Sequence, residues 1–243
     1  MIISTYSTIC IDNYAFPSDG DTTLDNYGKS FFASADSFMI ELKQIIKLRD
    51  EMQPQASLWI NEIGCGSGAE PSFGWDKFWN LCSSYYAYMY SEIAMNGGDV
   101  AGQSQMIGMV NGTVTEWPST SMVDWRTGAP NSRYMVLKML IDAGFGDNEI
   151  TKLMHATVSS VSGVYTQAYS IPSLKRFAVI LINKTSTSET MTLSPPPSSC
   201  KATTINKIDI DTVSGETYST QTYATIQLTI PVTAFATVIV IYE

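Results

Sequence analysis

The sequence predicts an α/β region followed by an all-β region, with the change near residue 150. Two observations carry this reading. Before that point strand-like and helix-like segments alternate, the grammar of a parallel sheet with crossover helices. After it helical periodicity disappears, and short β-branched, Ser- and Thr-rich runs separated by turn chemistry indicate a β-sandwich. The expected division is therefore 1–150 and 151–243.

In the first region, Ser4 to Tyr14 reads as a strand, and the Asp/Gly-rich stretch from Pro17 to Lys29 as a loop. A helix is expected from Asp36, a good N-cap, to Met52; Phe38, Leu42, Ile45 and Ile46 share one face, and Pro54 closes it. Ser57 to Ile63 is a short apolar strand interrupted by Asn61 and Glu62, with Gly64, Gly66 and Gly68 in the loop after it. A second helix, from about Asp76 to Met95, is stopped by Asn96-Gly97-Gly98. Val100 to Ile107 is another strand, and a last helix runs from near Asn131 to Gly144. In the second region the expected strands are Val164–Ser170, Phe177–Asn183, Glu189–Leu193, Lys207–Asp211, Ala224–Thr229 and Ala236–Tyr242.

Composition narrows the function classes. Hydrophobic residues make up 44% and charged residues 15% of 243, so a folded, weakly charged chain is expected. A net charge of -9 with 14 Lys+Arg argues against a nucleic-acid partner, because phosphate binding depends on clustered cations. No apolar run reaches the length of a membrane span, so no membrane partner is expected. The start, Met1 to Ile11, is a poor signal peptide and a better strand. The four cysteines, Cys10, Cys65, Cys82 and Cys200, lack metal-ligand spacing; Cys65 and Cys82 fall in one βα unit and could pair in an oxidising compartment. Asn-x-Thr sequons at Asn111 and Asn183 are compatible with secretion. The single histidine, His155, reads as an ordinary surface or junction residue.

The most informative stretch is Leu58-Trp59-Ile60-Asn61-Glu62-Ile63-Gly64. A carboxylate at the end of an apolar strand needs a reason to be there, since isolated buried charge is costly. Glu62 reads either as a carboxylate held by the loop or as a catalytic group aimed at the face where parallel strands end. Asp12 reads as a buried, hydrogen-bonded strand residue, with support of the site as the alternative, Asp124 as half of an ion pair beside Trp125 and Arg126, and Glu70 and Glu116 as solvated. Trp79 reads as core, whereas Trp117 and then Trp75 are the better candidates for an aromatic binding surface.

In order along the chain these segments resemble clan A, the retaining glycoside hydrolases built on (β/α)8 barrels. Leu58 to Glu62 resembles that clan's seventh-strand nucleophile segment, and Ile11-Asp12-Asn13-Tyr14 the end of its sixth strand. Gly102-Gln103-Ser104-Gln105-Met106-Ile107-Gly108 would be the eighth. Met122 to Tyr134 is similar to the loop and last helix of members that append a β-sandwich, and Phe177–Lys184 and Phe235–Val240 resemble core strands of that domain. The resemblance implies a partial (β/α) barrel, the last three or so βα units, followed by a C-terminal β-sandwich. It implies Glu62 as nucleophile and Tyr14 as the residue that orients it, with Asn13, Gln105 and Trp117 binding sugar.

Retention uses two carboxyl groups about 5–5.5 Å apart. The family's acid/base follows an Asn at the end of the fourth strand, which would lie before Met1. Asn61-Glu62 has the same letters, but the nearness of the β-sandwich favours strand seven; Asn148-Glu149, at the junction, receives no catalytic role. The expectation is a glycosidase portion, inactive alone, acting on a carbohydrate with neither metal nor organic cofactor required. A secreted or lysosomal setting is expected for the full-length form, and association through exposed barrel edges for this one. The alternatives are a non-catalytic carbohydrate-binding protein and a remnant without independent function.

Overall fold

The computed structural model describes residues 8–104, 106, 110–111, 114–115, 120–145, 152–154 and 163–243. Its first region runs β1 (Thr8–Ala15), α1 (Leu24–Met52), β2 (Ser57–Cys65), α2 (Trp75–Asn96), β3 (Val100–Gln103), β4 (Val110–Asn111), β5 (Val114–Thr115) and α3 (Ser132–Asp142). Strands β1, β2 and β3 form a parallel sheet in that order, and β4 pairs with β5. The second region runs β6 (Lys152–Met154), β7 (Val164–Ile171), β8 (Arg176–Asn183), β9 (Glu189–Thr192), β10 (Thr203–Ile208), β11 (Ser219–Tyr223), β12 (Thr229–Val232) and β13 (Thr237–Tyr242). Six of these make an antiparallel sheet ordered β11-β10-β13-β8-β7-β6, and β12 pairs with β9. The chain is thus a mixed α/β protein with several sheets.

Burial divides this architecture into two cores. In the larger, side chains of all three helices pack between the parallel sheet and one face of the six-stranded sheet, where Ile180, Ile182, Ile239 and Ile241 meet them. In the smaller, Leu181, Val238 and Val240 from the other face of that sheet pack on Met191, Ile230 and Val232 of the β9–β12 pair. Every residue of β13 is buried. A strand covered on both faces reads as a continuous apolar run, here Val-Ile-Val-Ile.

Helix α1 begins twelve residues earlier than Asp36. Thr23 is its N-cap, accepting from the Asn26 amide at 3.2 Å. Tyr27, Phe31, Ala35, Phe38 and Leu42 continue its buried stripe. Gly28 sits in the second turn of the helix, where a side chain would run into the Phe235 ring, so it is a close-contact point rather than a breaker. Asp36 accepts from the Tyr88 hydroxyl at 2.5 Å and from Lys184 Nζ at 3.3 Å, bridging α1, α2 and the end of β8. Asn131 does cap α3, accepting from the Arg133 amide at 3.0 Å.

In the second region β10 lies earlier than expected, at 203–208, and β12 later, at 229–232; β11 and β6 carry no apolar alternation that announces them. The Asn183 sequon is closed in the folded chain. Its side chain is fully buried and its amide donates to the carbonyls of Thr187 at 2.6 Å and Thr233 at 3.0 Å. Asn111 ends β4, and the other two residues of its sequon, Gly112 and Thr113, lie outside the described residues with His155. Cys65 and Cys82 form a disulfide that ties the end of β2 to α2, with Cα atoms 6.1 Å apart. No described helix is long and apolar enough to cross a membrane.

Candidate active site

The parallel sheet has a covered face and an open one. On β1 the odd positions Ile9, Ile11 and Ala15 pack into the core under the helices, whereas Thr8, Cys10 and Asp12 are exposed. On β2, Leu58 and Ile60 are fully buried, and Trp59 and Asn61 are exposed. Strict alternation would place Glu62 with Leu58 and Ile60, inside the core. The register prevents it. Ile11 pairs with Ile60 and Asp12 with Glu62, so Asn61 is an extra, unpaired residue. This β-bulge reverses the side-chain alternation beyond it and turns Glu62 onto the face of Asp12 and Tyr14.

Three neighbours hold Glu62 there. The Tyr14 hydroxyl donates to Glu62 Oε2. Asp12 Oδ1 accepts from the Glu62 amide at 3.2 Å. Gly64, which pairs with Tyr14, leaves room for the tyrosine ring: a side chain at 64 would overlap that ring and crowd the buried Ser104 hydroxyl. Gly102 does the same for the bulge, because a side chain there would meet the Asn61 carbonyl. Two glycines that read as loop and strand residues in the sequence are therefore clearances for the carboxylate's support. Burial, and then the hydrogen bond to Glu62, raise the pKa of Tyr14 from 10.0 to about 12. The tyrosine thus remains a proton donor throughout the neutral and mildly alkaline range.

Asn13 falls on the other side. Its amide donates to the Tyr85 hydroxyl of α2 at 2.7 Å, toward the helix layer, and the structure does not bring it to the open face with Tyr14 and Glu62. Gln103 likewise faces the helices, accepting from Tyr90 at 3.3 Å. Gln105 and Trp117 lie outside the described residues, as do Glu116, Asn148 and Glu149. Trp75 is buried against Phe78, Trp79 and Trp125, which removes it as a stacking surface. Asp124 and Arg126 form the ion pair read from the sequence, two contacts of 2.9 Å with the guanidinium over Trp79 and Trp125. Burial alone would raise the Asp124 pKa; the hydrogen bonds from Arg126 outweigh it and hold it below the usual value.

Behind the site lies a group that the sequence does not announce. Arg133 of α3 is fully buried and reaches past Tyr86, donating to the carbonyls of Ser121 at 3.0 Å and Ser104 at 3.4 Å and to the Tyr86 hydroxyl. Burial pulls its pKa down, opposed by the Tyr86 side chain beneath it. The available signal was its place on the inward stripe with Ser132, Val136, Met139 and Leu140. Among the described residues no three His, Cys, Asp or Glu side chains gather as a metal site would require.

No protein family's profile and no curated protein matches the chain. Solved structures do. A family GH51 α-L-arabinofuranosidase from Thermotoga petrophila aligns with a TM-score of 0.65 at 10% identity, over 98% of this chain and 53% of its own. A family GH44 xyloglucanase from Paenibacillus polymyxa aligns at 0.64 and 12%, over 98% and 46%. A GH30 endoxylanase from Clostridium papyrosolvens aligns at 0.58 and 11%, over 98% and 49%. The chain spans about half the length of these enzymes, and what it shares with them is their fold.

Proposed function

We propose that this chain carries the nucleophile side of a retaining glycosidase site. The observation that carries the reading is the Tyr14–Glu62 pair, set by a bulge onto the open face of a parallel sheet at the end where its strands finish. With Oε2 held by Tyr14, Oε1 of Glu62 attacks the anomeric carbon of a carbohydrate while the bond from that carbon to the leaving oxygen breaks. The leaving oxygen needs a proton, and the neighbouring carboxylate, Asp12, is engaged by the Glu62 amide. The reading therefore assigns the acid/base to further βα units packed on the open face. Cys10, Trp59 and Val100 form a cross-strand row on that face; Trp59 is 42% and Val100 43% exposed. Among the described residues the outer edges of β1 and β3 have no partner strand. Parallel sheets are ordinarily covered on both faces and paired at their edges, which supports such a complement.

On this reading residues 1–150 are part of a (β/α) barrel and 151–243 a β-sandwich that braces it. The Cys65–Cys82 disulfide favours an oxidising, extracytoplasmic setting. The test uses 2-deoxy-2-fluoro xylosyl and glucosyl fluorides, whose fluoride leaves without a proton, so the missing acid is bypassed. A stable sugar adduct is expected on the peptide containing Glu62 and is absent from Glu62→Gln. Labelling that persists in Glu62→Gln sinks the assignment. Turnover of ordinary O-glycosides by this chain alone, abolished by the same substitution, would overturn the placing of the acid/base elsewhere.

A further inference from the structure

We propose that Phe16 is a substrate-binding residue: an aromatic platform on which a sugar ring rests beside Glu62. The proposal rests on the glycosidase reading and adds a contact that neither the motifs nor the resemblance assigns.

Phe16 is the residue after β1 and has the parity of Asp12 and Tyr14, so it continues the open face toward the end where the strands finish. It is 49% exposed, unusual for a phenylalanine held in a fixed position. Its position is fixed from below. The ring lies over Gly66, where any side chain would collide with it, as Tyr14 lies over Gly64 one step earlier. The strands beneath are joined by the Gly66 amide to the Ala15 carbonyl at 2.8 Å, and the next residue back, Cys65, is locked to α2 by the disulfide. Tyr14 and Phe16 are stacked with ring centroids 6.4 Å apart and planes 21° from parallel. One ring of this pair holds the carboxylate through its hydroxyl; the other has no polar group and shows much of its surface to solvent.

That arrangement suits a saccharide. The axial C–H faces of a pyranose pack on an aromatic ring, while its hydroxyls stay available to polar groups such as Asp12 and Glu62 on the same face. An ordinary core phenylalanine would be covered, and an adventitiously exposed one would lack a glycine cleared beneath its ring. Trp75, the first residue of α2, is buried, so Phe16 is the described aromatic that meets the geometry next to Tyr14.

The experiment is saturation-transfer difference NMR on the full chain with xylohexaose and with cellohexaose, comparing wild type, Phe16→Ala and Phe16→Trp. Wild type is expected to transfer saturation to the sugar C–H protons, Phe16→Ala to weaken binding about five- to tenfold, and Phe16→Trp to restore it. Circular dichroism and methyl spectra check that the fold is unchanged. Binding by Phe16→Ala as tight as wild type, or no saturation transfer to either sugar from wild type, overturns the proposal. Fluoro-sugar labelling separates the two claims. Label on Glu62 with binding indifferent to Phe16 removes the platform alone, and Phe16-dependent binding without label on Glu62 keeps the platform and removes the nucleophile.

Discussion

The six-stranded sheet and the three-stranded sheet are built on opposite terms. In the first, β13 is covered by helices on one side and by β9–β12 on the other. Its neighbours β8 and β10 are hydrogen-bonded along their length without a register break. In the second, one face is left to solvent, β2 contains a bulge in its pairing with β1, and glycines stand where side chains would otherwise pack. Covered regularity makes a scaffold. The irregular, half-open sheet is where an ionisable side chain can be held without being buried, and that is where Glu62 lies.

The contrast can be broken from the scaffold side first. Ile239→Ala in β13 removes a fully buried side chain and is expected to cost about 2–5 kcal/mol in urea unfolding. Next is the disulfide, which closes a loop with a sequence separation of 17; Cys65→Ser with Cys82→Ser is expected to cost about 3 kcal/mol, read as a lower urea midpoint. Gly64→Ala should cost about 1–3 kcal/mol by displacing the Tyr14 ring, and Glu62 labelling should fall with it.

A pH effect of Tyr14 follows in size. Because its folded pKa is raised from 10.0 to about 12, the stability it contributes is present below pH 10 and lost as pH rises through 12. Tyr14→Phe should therefore flatten part of the alkaline limb of a stability–pH curve, and Glu62→Gln should lower the Tyr14 pKa toward 10, read by NMR of ring-labelled tyrosine. Trp59→Ser, on the open face, is expected to change stability by no more than about 0.5 kcal/mol. Its effect should appear in self-association by analytical ultracentrifugation. A large loss of stability there would mean that the face is already part of a core.

Legibility in the sequence follows the same division. The buried strands β8 and β13 and the inward stripe of α2 announce themselves through apolar pattern, because packing alone decides them. Strand β11, Ser-Thr-Gln-Thr-Tyr, exists through its pairing with β10, and no periodicity in its own residues points to it. The first half of α1 hides behind Gly28, whose reason lies across the molecule in Phe235. At the site, Tyr14 and Glu62 were readable as strand-end residues in a familiar order. The bulge was not, since alternation cannot say which of Ile60, Asn61 and Glu62 is the extra one. Asn13 stands among the sugar ligands only by the resemblance; its parity with Ile9, Ile11 and Ala15 turns it toward Tyr85. Nothing in the sequence singles out Phe16, because the glycine its ring lies over, Gly66, follows a different strand.

The single unpaired residue in β2 also sets how this site tolerates change in the gene. Loss of the Asn61 codon alone would leave composition, charge sign and motif letters nearly intact. It would restore regular pairing with β1 and leave the carboxylate directly after Ile60, still opposite Asp12 on the open face. Substitutions at position 61, and even its loss, should be accepted far more readily than a change in the number of residues between Glu62 and Gly64, which would move one of the two out of register with Asp12 and Tyr14. In this stretch it is spacing, more than spelling, that selection has to guard.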